Sequence, residues 1–245
     1  MYNDVMQRDD TGMTIKIVAS TIALSVLYMI AMLSGCSSGS SSGFDLRNDI
    51  HFGDSMEKVR NKESLGIKKE SEDEDDASIT YLTSEDGTIA NIPDSYVVYS
   101  FKDDSLYKMS YTFGHYGTED NSSGEVSAMK SYMNDQYDEL SKTLTEKYGN
   151  PLSDDEYEKY EIVTGFIDRI SNVAFFAALG ADSDVIGAEE WLVECDNGSH
   201  VIITLMTEYI GGKTYVGYTT ADYQLISEDQ WNDILEKQKN MDADL

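Results

Sequence analysis

The sequence predicts an α+β fold in which a helix followed by a three-stranded antiparallel sheet occurs twice in tandem. Two observations carry this expectation. Apolar residues recur at a spacing of three or four and then at a spacing of two, and this change of period happens twice along the chain. Of 245 residues only 2 are proline while 17 are tyrosine, so strands of some length meet few breakers. A hydrophobic share of 40% is enough for a core despite a formal net charge of −28. That charge also argues against a nucleic-acid partner, because phosphate binding needs clustered Lys and Arg.

Ahead of the folded part, no residue from Ile17 to Leu33 is charged. As a helix this stretch is about 26 Å long, the short end of what crosses a bilayer. Lys16 precedes it and Leu33-Ser34-Gly35-Cys36 follows, the layout of a secretory signal with a small-residue cleavage site. Leu-Ser-Gly-Cys resembles the lipobox of bacterial lipoproteins. The resemblance implies that the Cys36 thiol takes diacylglycerol through a thioether and becomes the first residue after cleavage. An uncleaved membrane anchor is the competing reading, but it has no need of that tetrapeptide. Asp4, Asp9 and Asp10 outweigh Arg8 and Lys16, which is the wrong charge for a leader. A start at Met13 restores a positive one, and both starts stay open. The expected organisation is a signal peptide over 1–35, a lipidated Cys36 with a Gly/Ser tether over 36–43, and an exported domain over 44–245. Gly39 to Gly43 matches G-x-S-x-G, but a nucleophile elbow needs a strand before it and a helix after it, so the linker reading stands.

The first unit, approximately 49–114, begins with a short helix that Asp54 can cap, with Glu57 three residues on and Met56 and Val59 along its apolar edge. The acidic run Glu70 to Asp76 lacks the spacing and the glycine of a calcium loop and reads as a solvated surface loop. Three alternating strands follow: Ser78–Thr83, Ser95–Lys102 and Leu106–Gly114, the last placing Tyr107, Met109, Tyr111 and Phe113 together. The second unit, approximately 127–220, opens with a helix from Val126 to Tyr148. Met129, Met133, Tyr137, Leu140, Leu144 and Tyr148 line one side of it, and Gly149-Asn150-Pro151 stops it. An insertion over 152–188 follows, in which the spacing of Val163, Phe166, Ile167 and Ile170 suits a helix better than a strand. Glu189–Asp196, a turn at Asn197-Gly198, a strand through Val201 to Tyr209 and a closing strand to Thr220 complete the sheet. A last helix over 227–239 starts with a Ser227/Gln230 capping box.

Little of this carries recognisable chemistry. His51, His115 and His200 stand beside no motif nucleophile, and no H-x-x-x-H or C-x-x-C pair exists for a metal. Dinucleotide and phosphate-loop glycine patterns are absent, so no cofactor is expected. Asp154/Asp155 and Glu189/Glu190 are acidic pairs of a kind common in so acidic a chain. With Cys36 lipidated, Cys195 has no disulfide partner, and its spacing from Trp191 and Val193 makes it a buried small hydrophobe rather than a reactive thiol. Tyr99, Tyr107, Tyr111, Tyr137 and Tyr148 are expected to be half-buried core residues by periodicity. No catalytic residue is assigned.

Ile50-His51-Phe52-Gly53-Asp54-Ser55-Met56-Glu57-Lys58-Val59, with aromatic strands ending in Tyr-x-Phe, resembles the repeat of β-lactamase-inhibitor-like proteins. It is also similar to the small lipoproteins of the outer-membrane assembly machinery. Residues 49–114 carry the resemblance, and 127–220 share only its layout. The resemblance implies a non-enzymatic binding role. The expected function is therefore a lipid-anchored module on the extracytoplasmic face of the cell membrane, binding a protein or peptide through its sheet or loops. An envelope hydrolase with an unrecognised site and a passive structural lipoprotein remain the alternatives.

Overall fold

The computed structural model describes residues 44–90, 92–118, 122–153, 156, 183–211 and 215–243. The leader, Cys36 and the tether lie outside them, as does the apolar stretch 163–170 of the insertion. Helix α1 (Met56–Lys62) is followed by β1 (Ile67–Glu72), β2 (Ile79–Ser84), β3 (Gly87–Ile89), β4 (Ile92–Lys102) and β5 (Ser105–Thr118). Then come helix α2 (Ser123–Tyr148), β6 (Ser183–Glu194), β7 (His200–Gly211), β8 (Tyr215–Ile226) and helix α3 (Glu228–Ala243).

The expectation of two tandem units is overturned. One antiparallel sheet of eight strands runs β1-β2-β4-β5-β8-β7-β6, with β3 paired to β4 beside this path. The two meanders are joined by their last strands: β5 pairs with β8 from Lys108↔Gln224 to Thr118↔Tyr215. The reason lies in what periodicity encodes. Alternation tells which face a side chain takes, but an antiparallel neighbour is chosen by the whole register and by what covers it. Two strands, β1 and β3, were also missing from the expectation. β1 reads Ile-Lys-Lys-Glu-Ser-Glu, a charged sheet edge with one apolar residue at its start, so Glu70 to Glu72 of the acidic run belong to a strand. β6 begins at Ser183, inside the expected insertion.

Local signals elsewhere act as the sequence implies. Asp103 and Asp104 both take positive φ, 51° and 62°, and form the two-residue β4–β5 turn. Gly149 ends α2 at φ 89°, and its N–H donates to the Thr145 carbonyl. Ser227 and Gln230 form the reciprocal cap of α3, at 3.3 and 2.9 Å. The cap of α1 is Ser55 rather than Asp54: its Oγ accepts from the Lys58 N–H at 3.3 Å. Asp54 instead accepts from the His51 N–H and from Lys58 Nζ.

The core fills the front of the sheet. Val97, Tyr99 and Phe101 of β4, Met109, Tyr111 and Phe113 of β5, Val201, Ile203 and Leu205 of β7, and Ala221 and Tyr223 of β8 face Leu140 and Leu144 of α2. Beside α2 the cover is made by the segment before α1, where Phe44, Leu46, Ile50 and Phe52 are all buried. Alternation sends Leu192, Ile202 and Ile226 to the opposite face. There Trp231 and Ile234 of α3 cover them, with Leu152 alongside.

Two close approaches seat α2. A Cβ on Gly187 of β6 would lie 2.5 Å from the Tyr137 ring, and one on Gly217 of β8 would lie 2.4 Å from the end of Met133. The Gly187 side chain must be absent for a stiff ring, the Gly217 one for a flexible chain. A buried ion pair ties the first segment to α1: Arg47 Nη2 lies 3.3 Å from Glu63 Oε1, at 5% and 0% side-chain exposure. The Tyr99 hydroxyl donates to the same carboxylate, and burial, then the Glu63 charge, pushes the Tyr99 phenol well up. Arg47 Nε and Nη1 are buried without a hydrogen-bond partner. The pair is thus imperfectly compensated, and removing one member leaves the other's charge in the core.

Gly187→Ala is expected to cost about 1–3 kcal/mol in urea unfolding, with Gly217→Ala costing less because Met133 can swing away. Equal costs would contradict this account of the seat. Arg47→Leu should cost about 3–5 kcal/mol by the same measurement, because Glu63 is stranded.

Candidate functional site

The back of the sheet over β1, β2, β4 and β5 carries the most distinctive surface among the described residues. Its residues are those that alternate with the core rows, and the strand registers align them in three lines. Ser71, Tyr81, Ser100, Lys108 and Gln224 form the first. Lys69, Thr83, Val98, Ser110 and Asp222 form the second. Tyr96, Thr112 and Thr220 form the third. Tyr81, Thr83, Tyr96, Val98, Ser110 and Thr112 are half-buried and Lys69 is exposed, while Ser100, Thr220 and Asp222 are buried. Among the described residues α3 is the helix on this side, and its apolar contacts are with Leu192, Ile202 and Ile226, toward the β6 end. An antiparallel sheet tolerates such an open face when its side chains are polar or amphipathic.

Charge on this face is locally balanced, unlike the chain as a whole. Lys108 Nζ lies 2.8 Å from Asp222. Lys68 reaches Asp86 at 2.5 Å and stands 4.9 Å above the Tyr96 ring, within cation–π range. The Tyr81 hydroxyl donates to Asp73 Oδ2 at 2.6 Å, and that bond, with burial, pushes the Tyr81 phenol up to about 12. Asp73 also accepts from the N–H groups of Asp75 and Asp76. The Tyr81 bond first, then these two, hold its carboxyl below the ordinary range. Asp73 to Asp76 are thus a turn organised by its own carboxylates. Among the described residues no cluster of three or more His, Cys, Asp or Glu is arranged for a metal ion.

The residues weighed from sequence are scattered. Cys36 and Asp154/Asp155 lie outside the described residues, and Cys195 is buried at 3% exposure. His51 Nε2 sits 2.7 Å from Asp45 and 3.7 Å from Asp49, in the strap before α1. His200 is stacked on Trp231 with ring centroids 3.9 Å apart; burial lowers its pKa, opposed in part by Glu194. His115 belongs to β5. Glu189 and Glu190 point to opposite faces, as neighbours on a strand must. Glu189 takes the Ser141 hydroxyl on the front, and Glu190 takes the Thr204 hydroxyl at 2.8 Å on the back. They cannot act together on one bond. A shallow cleft of about 350 Å³ runs along α1, lined by Ser55, Glu57, Lys58, Asn61 and Lys62. Its two lysines are held by Asp54 and Asp49 at 2.5 and 2.7 Å.

Of the five tyrosines expected in the core, Tyr99, Tyr111 and Tyr137 are buried and Tyr148 is half-buried. Tyr107 is the exception. The register shift between Ser100 and Phe101 takes it out of line with Met109, and burial, then the charges of Asp73 and Asp76 on the Tyr81 side, raises its pKa. Sequence reading missed Tyr81 and Tyr96 as surface residues. Their signal was available: each alternates with a core residue, Leu82 and Val97. No family model, curated protein or solved structure matches the chain.

Nitration of the native protein is expected to mark Tyr96 ahead of Tyr99, Tyr111 and Tyr223, which react only after unfolding, as read by peptide mass spectrometry. Early modification of Tyr111 would mean that the two faces have been exchanged.

Proposed function

We propose that this chain is a membrane-anchored bacterial lipoprotein of the cell envelope, held through lipid on Cys36, that acts as a non-catalytic protein- or peptide-binding module. The observation that carries this reading is the back face over β2, β4 and β5, which no helix among the described residues covers, where Tyr81, Tyr96, Tyr107 and Val98 alternate with Thr83, Ser110 and Thr112 under locally balanced charge. Tyrosines offer broad contact with little side-chain entropy to lose, and hydroxyls pair with backbone groups of a partner. An acidic partner approaching elsewhere meets the repulsion of a strongly acidic surface. The leader and the Leu-Ser-Gly-Cys site support the anchor, and the resemblance of Ile50 to Val59 to β-lactamase-inhibitor-like proteins supports binding without catalysis.

Cys36→Ala should move the protein from the membrane to the soluble fraction, as seen by fractionation and immunoblotting. A photo-crosslinking amino acid in place of Val98 should give a discrete adduct in intact cells, while the same group in place of Lys142 on α2 should not. Adducts from position 142 alone would overturn the assignment of the face.

A further inference from the structure

We infer that the anchor leaves the domain on its helix side, so that the open sheet face is presented away from the bilayer that holds the protein. The inference rests on the lipid anchor at Cys36 and adds an orientation to it. The first described residue, Phe44, is 2% exposed. Its ring lies 6.1 Å from Phe52, 6.0 Å from Tyr148 at the end of α2 and 6.2 Å from Tyr223 of β8. Tyr223 in turn meets Tyr111 of β5 edge-on at 5.9 Å. All these rings belong to the front of the sheet, and they stand over β5 and β8, its two central joined strands. The chain therefore enters the fold in the helix layer, near the middle of the sheet.

The reach of the tether does the rest. From Cys36 to Phe44 the chain can stretch about 26–29 Å at most, and a Gly/Ser coil of that length averages about 16 Å end to end. To bring the back face onto the bilayer, the tether would have to run from β8 to the β6 edge, two strand spacings or about 10 Å. It would then have to pass the sheet itself, a further layer of about 10 Å. Together these come to about 20 Å, above its average length, so the tether would have to be held stretched toward its limit at a cost in chain entropy. The way past the ends of the strands is no shorter: Tyr223 stands three residues, about 10 Å, before the end of β8 at Ile226, and the same layer follows. With the helix side toward the lipid, the three lines of the back face look outward and their partner belongs on the far side of the domain.

The test uses the lipidated full chain, purified in detergent and reconstituted into vesicles that contain an acceptor dye in their headgroups. In a Cys195→Ala background a donor fluorophore is placed singly at Glu57 or Glu146 on the helix side, and at Lys69 or Lys102 on the back. Glu57 and Glu146 are expected to transfer energy more efficiently than Lys69 and Lys102, in that order for every pairing. Equal transfer from the four sites, or greater transfer from Lys69 and Lys102, overturns the orientation. Failure of the protein to float with the vesicles, with no difference from Cys36→Ala, would instead remove the lipid anchor on which it rests.

Discussion

The pairing of β5 with β8 is the constraint from which the architecture follows. Each meander alone would leave one long strand with an open edge, and strands of this length with free edges invite aggregation. Joining the two edges satisfies both at once and makes a continuous apolar front, Tyr111 and Phe113 beside Ala221 and Tyr223. That front is too wide for one helix. α2 covers the part toward β6 and β7, and the remainder is left for whatever precedes α1.

The chain fills that place with the segment Phe44 to Phe52. Its backbone folds back on itself through the Asp45–His51 bridge, which puts Phe44, Leu46, Ile50 and Phe52 into the core in the space of nine positions. Arg47, between them, cannot avoid burial, and Glu63 at the end of α1 supplies its counter-charge. The ion pair is therefore a consequence of using an N-terminal strap as a core element, and it links the strap to the first helix. The strap has a second consequence: the packed core begins at Phe44, the first described residue.

How much could be read beforehand divides along the same line. Features decided within a few residues were legible: the α2 stripe from Met129 to Leu144, its stop at Gly149, the Asn197-Gly198 turn and the Ser227/Gln230 cap. Features decided by distant partners were not. Nothing in the alternation of Tyr111 or Tyr223 announces that they are neighbours, so one sheet was read as two. β1 escaped because an edge strand guarded by Lys68, Lys69, Glu70 and Glu72 looks like a loop. The back face escaped for a related reason. Tyr81 and Tyr96 look like core residues until the front rows are known to be filled by Leu82 and Val97.

Once those front rows are assigned, the composition of the back face acquires a meaning that folding alone does not give it. A face meant only for water would be served by Lys and Glu, which are plentiful in this chain and sit on β1 beside it. Tyr and Thr are instead placed on the inner strands β2, β4 and β5, where β-propensity favours them, and their hydroxyls keep the surface soluble when it is free. The ion pairs at Lys108–Asp222 and Lys68–Asp86 then remove the long-range repulsion that the rest of the molecule exerts on an acidic neighbour. What remains is a neutral, amphipathic plane on an acidic domain, on the side of the sheet opposite α2 and the strap. Such a plane offers shape and hydrogen-bonding groups rather than charge.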